Sequence, residues 1–251
     1  MAVDVEAGKQ TSQSKNFASG GSGSNPFDDA VVRRGFVAKV FGILSMMLAV
    51  TFGILLFFMF VKPASDWLLH HMTAVFFLSL AVYISTAIPL ICCPHLGRLV
   101  PLNFIVLGIF TLASSFMIAP LIFSYELDVI LIAIGVTLLI VVLVTVFSAY
   151  TAIDFTQCFW VMALALCGFV LTTAIMYVVM AFTGVPKWYL PLEGGLGVAI
   201  FVFLLICDMQ MMLGGRRFQY SPEDYVYAAL SIYVDIINLF LYLLELFGPS
   251  R

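Results

Sequence analysis

Runs of about 20 apolar residues recur along this chain of 251 residues, and that is the length at which an α-helix crosses the hydrocarbon core of a bilayer. In lipid every backbone N–H and C=O must be satisfied within the protein, so repeated runs of this kind specify spanning helices. Seven spans are predicted, over residues 36–61, 72–92, 102–122, 127–148, 158–182, 194–213 and 226–247. A very hydrophobic soluble helical core is the competing reading, and the regular recurrence of the runs argues against it. Composition agrees with the membrane reading: 63% of residues are hydrophobic and only 10% are charged, against about 25% charged in a soluble domain. The mean hydropathy is +1.12. A net charge of −3 carries no sign of nucleic-acid binding. The expected class is an all-α integral membrane protein, with a seven-helix domain over residues 31–251, in contact with the lipid bilayer.

Residues 1–30 are polar and rich in Gly and Ser, and are expected to form a disordered tail. The first apolar run is too long for a cleaved signal peptide, so the first span is expected to act as an uncleaved signal anchor. Asn25-Pro26-Phe27 has the form of a tripeptide that trafficking adaptors bind; a chance tripeptide in a floppy tail is the other reading. With the N-terminus placed in the cytosol, that side holds Lys9, Lys15, Arg33, Arg34, Lys39, Arg98, Arg216 and Arg217, and the other side Lys62, Lys187 and Arg251. Eight basic residues against three support this orientation. Between the last two spans, Gly214-Gly215 is expected to end a helix, and Ser221-Pro222-Glu223-Asp224 to start the next with Ser221 as N-cap. Cys92, Cys93, Cys158, Cys167 and Cys207 lie in or at the ends of apolar runs, a placement that argues against a disulfide framework, and their spacing matches no zinc site. Cys92 and Cys93 are open to palmitoylation, or are ordinary small buried residues.

Two acids break the pattern. Asp208 lies in EGGLGVAIFVFLLICDMQMMLGG and Asp235 in YVYAALSIYVDIINLFLYLLELFG, and neither run contains Lys, Arg or His. A carboxylate at the centre of a spanning helix costs about 2.5–3.5 kcal/mol on insertion scales. Asp208 lies six residues before Gly214 and Asp235 nine after Val226, depths of about 9 and 14 Å from the same membrane face at 1.5 Å per residue. A short connection makes the two helices antiparallel neighbours. Ser231, Asp235, Asn238, Tyr242 and Glu245 follow one another at helical spacing and form a polar stripe that should face protein or a water-filled path. Two buried carboxylates in proximity can share a proton and titrate as one unit. The residues therefore suit a proton- or cation-handling site, with a polar seam that merely joins helices as the alternative. Glu126, Asp128, Glu193 and Asp66 are placed on the lumenal side, either gathering cations at a mouth or standing as ordinary solvated charges. Asp154 is expected to cap a helix, and His70, His71 and His95 to lie in loops.

Four stretches resemble a known family: SPEDYVYAALSIYVDIINLF at 221–240, CDMQMMLGGRR at 207–217, PLNFIVLGIFTLASSFMI at 101–118 and YTAIDFT at 150–156. Together they resemble the transmembrane Bax inhibitor-1 motif family, in its lifeguard branch, over roughly residues 31–248. The resemblance implies a seventh helix at the centre of the other six and a di-aspartyl pH sensor at Asp208 and Asp235. It also implies a pH-sensitive calcium leak from endoplasmic reticulum or Golgi stores and suppression of cell death. Calcium is then the transported ion, and no cofactor is implied. Two positions depart from the family pattern: Cys207 stands for the usual tyrosine, and Ala152 for the usual basic residue of the YTKxDFT-type loop.

Other seven-span classes fit poorly. The last span has no Lys to hold retinal, no NPxxY-like sequence occurs there, and no His lies in any span, where an intramembrane serine protease would need a His or Lys beside its catalytic Ser, so no enzyme is expected. Two classes stay open: an ion-conducting protein, and a non-conducting regulator that binds cell-death or stress-signalling proteins.

Overall fold

The computed structural model describes residues 30–92, 97–184, 186 and 188–248. The tail with Asn25-Pro26-Phe27, and Cys93, His95, Lys187 and Arg251, lie outside the described residues. Seven helices among the described residues are long and apolar enough to cross a membrane: α1 Ala30–Phe60, α2 Lys62–Cys92, α3 Leu102–Ile122, α4 Leu127–Tyr150, α5 Phe159–Thr183, α6 Tyr189–Leu213 and α7 Tyr225–Phe247. A 3₁₀ turn, Phe155–Cys158, leads into α5, with Asp154 as its N-cap.

Burial divides the helices. Just over half of the central residues of α3, α6 and α7 are buried, and none of those of α5. α7 packs against α6, α1 and α4 and more lightly against α3, while α2 lies on α3 and α1, and α5 on α6. Phe169 of α5 also meets Tyr242 of α7, with ring centroids 5.6 Å apart. Lipid tails are as apolar as Leu, so burial alone gives these helices little reason to prefer one another. Close approach supplies part of the attraction. At Gly194 an added Cβ would fall 2.8 Å from Leu246 N, and at Gly197 2.4 Å from the Tyr242 ring. These two residues let α6 lie directly on the backbone and ring face of α7.

The helix boundaries differ from expectation at several places, and α1 already starts at Ala30 rather than 36. α2 begins at Lys62 rather than 72, because Pro63 sits in its first turn, where a missing N–H breaks nothing. The helix bends at His71 (φ −114°, ψ 15°), whose Nδ1 lies 2.9 Å from Trp67 O. His70, His71 and Asp66 are therefore exposed helical residues, not loop residues, and the expectation that no span contains His is corrected with them. α6 begins at Tyr189 rather than 194, again with a proline, Pro191, in the first turn. Glu193 is thereby carried into the helix and buried, 3% exposed, and is no solvated loop charge. α7 begins at Tyr225 with Asp224 at its N-cap, so Ser221 is not the cap. Asp224 N donates to Ser221 O at 2.9 Å in a turn, and Arg98 holds Glu223 and Asp224 at 3.0 and 2.9 Å. The Gly214-Gly215 stop is as expected: both have positive φ, 72° and 75°, which other residues avoid.

Candidate functional site

Asp208 lies about one and a half turns from the end of α6 and Asp235 at the middle of α7, and the packing of these helices brings the two carboxyl groups side by side. Asp208 is 5% exposed and Asp235 6%. Their surroundings are unequal. Ser231 Oγ donates to Asp208 Oδ2, and Tyr220 Oη donates to Asp208 Oδ1 at 3.2 Å. Asp235 Oδ2 is buried with no hydrogen-bond partner. Neither acid has an ion pair among the described residues. A hydrogen bond between two carboxyl groups requires one proton between them. Asp208 already accepts two donors and Asp235 accepts none from other side chains, so the two acids stand in unequal surroundings. Tyr220 stays a donor throughout: burial first, and then the neighbouring Asp208, push its hydroxyl well above the usual tyrosine range.

A lock of hydrogen bonds closes the basic end of the bundle over this pair. Gln210, two residues after Asp208, accepts from Phe155 N and donates to Ile153 O, both at 2.9 Å. Arg216 donates to Ala152 O at 3.1 Å and to Thr151 O. Cys207 Sγ lies 3.5 Å from Phe155 O, a weak donor in the place of a tyrosine. Asp154 is the hub: it accepts from Thr156 N (3.1 Å), Thr156 Oγ1 (2.6 Å), Gln157 Nε2 (3.3 Å) and Arg217 N (3.2 Å). Partial burial works against its charged form, but the donors from Thr156, Arg217 and Gln157 outweigh this and hold its carboxyl below the usual range. Its capping role was legible; its bond across to Arg217 was not.

The polar stripe of α7 divides into two sites. Ser231 and Asp235 belong to the aspartate pair. Asn238 turns back on its own helix, donating to Val234 O at 2.8 Å. Tyr242 stacks on Phe201, with centroids 5.5 Å apart. Glu245 belongs to a second group at the opposite end, near Glu193. The hydroxyls of Thr173, Tyr177 and Tyr189 face Glu193, yet Glu193 Oε2 and Glu245 Oε2 are buried without a hydrogen-bond partner. Tyr125, in the α3–α4 connection, stands beside Glu245; burial first, and that carboxyl second, push its hydroxyl up to about 12. Of the residues placed at a lumenal mouth, Glu126 is the N-cap residue of α4 and Asp128 lies in its first turn, both exposed. Glu193 instead lies buried inside the bundle, near Glu245.

Sequence reasoning also missed a cluster in the membrane interior. Tyr233 Oη lies 2.8 Å from Thr51 Oγ1 and also meets Ser114 Oγ, and Ser115 Oγ donates to Thr51 Oγ1 at 3.0 Å. The Ser114-Ser115 pair within an apolar run was its one visible signal.

Comparison with known proteins agrees with these features. The family model described as inhibitor of apoptosis-promoting Bax1 matches residues 33–251. Protein lifeguard 3 of Homo sapiens is 35% identical over 232 residues, which cover 91% of this chain and 73% of that protein. Protein lifeguard 3 of Mus musculus is 35% identical over 225 residues, 88% of this chain and 71% of that protein. LIFEGUARD 4 of Arabidopsis thaliana is 29% identical over 259 residues, 99% of this chain and 96% of that protein. The chain is an integral membrane protein and belongs to the Bax inhibitor-1 family, in its lifeguard branch.

Proposed function

We propose that this protein is a pH-sensitive calcium leak of an intracellular membrane, endoplasmic reticulum or Golgi, with its N-terminus in the cytosol, and that it restrains cell death by setting store calcium. The observation that carries this reading is the adjoining, buried Asp208–Asp235 pair with no basic partner among the described residues. With one shared proton the pair joins α6 to α7. Without it, two negative charges face each other. Unit charges about 4 Å apart repel by roughly 4 kcal/mol where the effective dielectric is about 20, which exceeds the 0.5–1.5 kcal/mol or so of a typical hydrogen bond. Repulsion therefore wins, and loss of the proton loosens the α6–α7 contact at its basic end. At the other end the buried, unpartnered carboxyl oxygens of Glu193 and Glu245 would serve as ligands to a passing cation.

The test is calcium efflux from proteoliposomes across about pH 5–8, the range in which shifted carboxyls titrate. Wild-type flux is expected to change with pH. Asp208→Asn and Asp235→Asn keep the shape but remove the titration, so each should flatten the profile, and the double variant should add little because the pair acts as one unit. If both single variants keep the wild-type profile, the acids are structural. If wild-type protein conducts nothing, the chain is a non-conducting regulator that acts by binding cell-death or stress-signalling proteins.

A further inference from the structure

A cavity of about 650 Å³ lies between α1 and α3, on the outer side of the bundle. One wall is the α1 face Lys39, Gly42, Ile43, Met46 and Val50, at spacings of three and four residues. The facing wall is built on Gly108 and Leu112 of α3. Two glycines create it: a Cβ at Gly42 or at Gly108 would meet nothing within 4 Å. The lining is apolar. The Thr111 hydroxyl is donated to Leu107 O at 2.8 Å and offers a ligand little, which leaves Lys39 and Tyr225 as the polar groups of the lining, both at one end. The groove opens toward lipid, since Met46 is 71% and Leu112 46% exposed.

One end carries a charge. Lys39 Nζ lies 5.6 Å from the centroid of the Tyr225 ring, level with the first residue of α7. Two other basic residues at this end are engaged: Arg98 grips Glu223 and Asp224, and Arg33 donates to Gly214 O at 3.4 Å. Lys39 has no carboxylate partner among the described residues. From Lys39 to Val50 the helix rises about 16 Å, half of a hydrocarbon core about 30 Å thick. A slot one leaflet deep, apolar along its length and cationic at the headgroup level, has the dimensions and polarity of a single lipid tail with its phosphate. A partner helix, about 10–12 Å across with its side chains, is too thick for a slot opened by two missing side chains.

We propose that this groove holds one acyl chain of an anionic glycerophospholipid, with Lys39 on the headgroup. The site is independent of the calcium reading. Its contact with Tyr225 places the lipid against the first turn of α7, the helix that carries Asp235.

The test uses the full chain in phosphatidylcholine nanodiscs with a minor fraction of phosphatidylserine bearing a diazirine on one acyl chain. The matching phosphatidylcholine probe is the control, and labelled peptides are mapped by mass spectrometry. Phosphatidylserine is expected to label the Ile43–Met46 and Gly108–Leu112 segments, about fivefold more than the neutral probe, the preference one lysine near a membrane surface gives. Lys39→Gln should level the two probes while leaving label in the groove. Gly108→Leu fills the groove from one wall and Gly42→Leu from the other, and either should abolish labelling by both probes. A thermal melt checks that these variants fold, and the open space at both positions lets them. Equal labelling by the two probes in wild type, or a preference unchanged by Lys39→Gln, overturns the headgroup assignment. Labelling undiminished in both folded leucine variants overturns the groove.

Discussion

The contact between α6 and α7 rests on Gly197, and Gly197→Ala measures how close it is. A Cβ there falls 2.4 Å from Tyr242 Cδ1 and Cγ and 2.7 Å from Cδ2, where ordinary carbon contacts lie at about 3.5–4.0 Å. Because Cγ is among the atoms struck and lies on the Cβ–Cγ axis, turning the ring about that bond relieves nothing, and the whole side chain must swing. That swing takes it off Phe201, stacked at 5.5 Å and 23°, and off Phe169, edge-on at 5.6 Å and 63°. Overpacking costs about 1–3 kcal/mol and each aromatic pair about 0.5–1.5 kcal/mol, so the variant should lose about 2–6 kcal/mol. Equilibrium unfolding in mild detergent reads this directly. Gly195→Ala is the internal control: its Cβ meets only Leu246 Cδ1 at 3.9 Å, an ordinary contact, and the better helix propensity of Ala should leave stability unchanged or raised by up to about 1 kcal/mol. Tyr242→Ala should remove most of the Gly197→Ala penalty in the double variant. If Gly197→Ala proves as stable as Gly195→Ala, the helices are not in this contact and the reasoning fails.

Three further outcomes are expected. Gln210→Ala removes both bonds to the 151–156 loop and should cost about 1–3 kcal/mol, with faster amide exchange at Phe155. Asp154 is held below the usual carboxylate range, so its contribution is complete above that range and is lost as pH falls through the depressed value. Amide protection of Thr156 and Arg217 should therefore fall in acid below about pH 4, and Asp154→Asn should make it independent of pH there. The basic residues gathered at one end of the bundle predict that a tag on the N-terminus is digested by protease outside sealed microsomes while a tag after Arg251 is protected; digestion of the latter without detergent refutes the orientation.

The spans were legible because a run of about 20 apolar residues has one stable form in lipid. Their ends were less so. Pro63 and Pro191 read as breakers, yet a proline in a first turn breaks no bond, and α2 and α6 each start earlier than their apolar runs. Glu193 was misplaced for that reason alone. Asp208 and Asp235 stood out because nothing in their runs offsets a charge. The partners were hidden, since a polar residue in an apolar run does not say which helix it faces. Tyr220 lay in a connection, Gln210 followed Asp208 without visible purpose, and Tyr233 looked like one aromatic among many.

Tyr233 nonetheless bears on how the pair is aligned. It lies two residues before Asp235, about 200° around the helix at 3.6 residues per turn. Its hydroxyl is tied to Thr51 of α1 and Ser114 of α3 on one side of α7, while Asp235 meets Asp208 of α6 on the other. Most of the helices are apolar nearly all round, and a bilayer does little to fix how such helices are turned. α7 has a defined polar side, and the Tyr233 anchor holds its rotation so that this side meets α6. A turn of one residue, about 100°, would break the anchor and carry Asp235 away from Asp208 in the same motion. The buried hydroxyl cluster and the aspartate pair are thus two ends of one constraint, and a change in the charge of the pair acts on a helix whose opposite side is fixed.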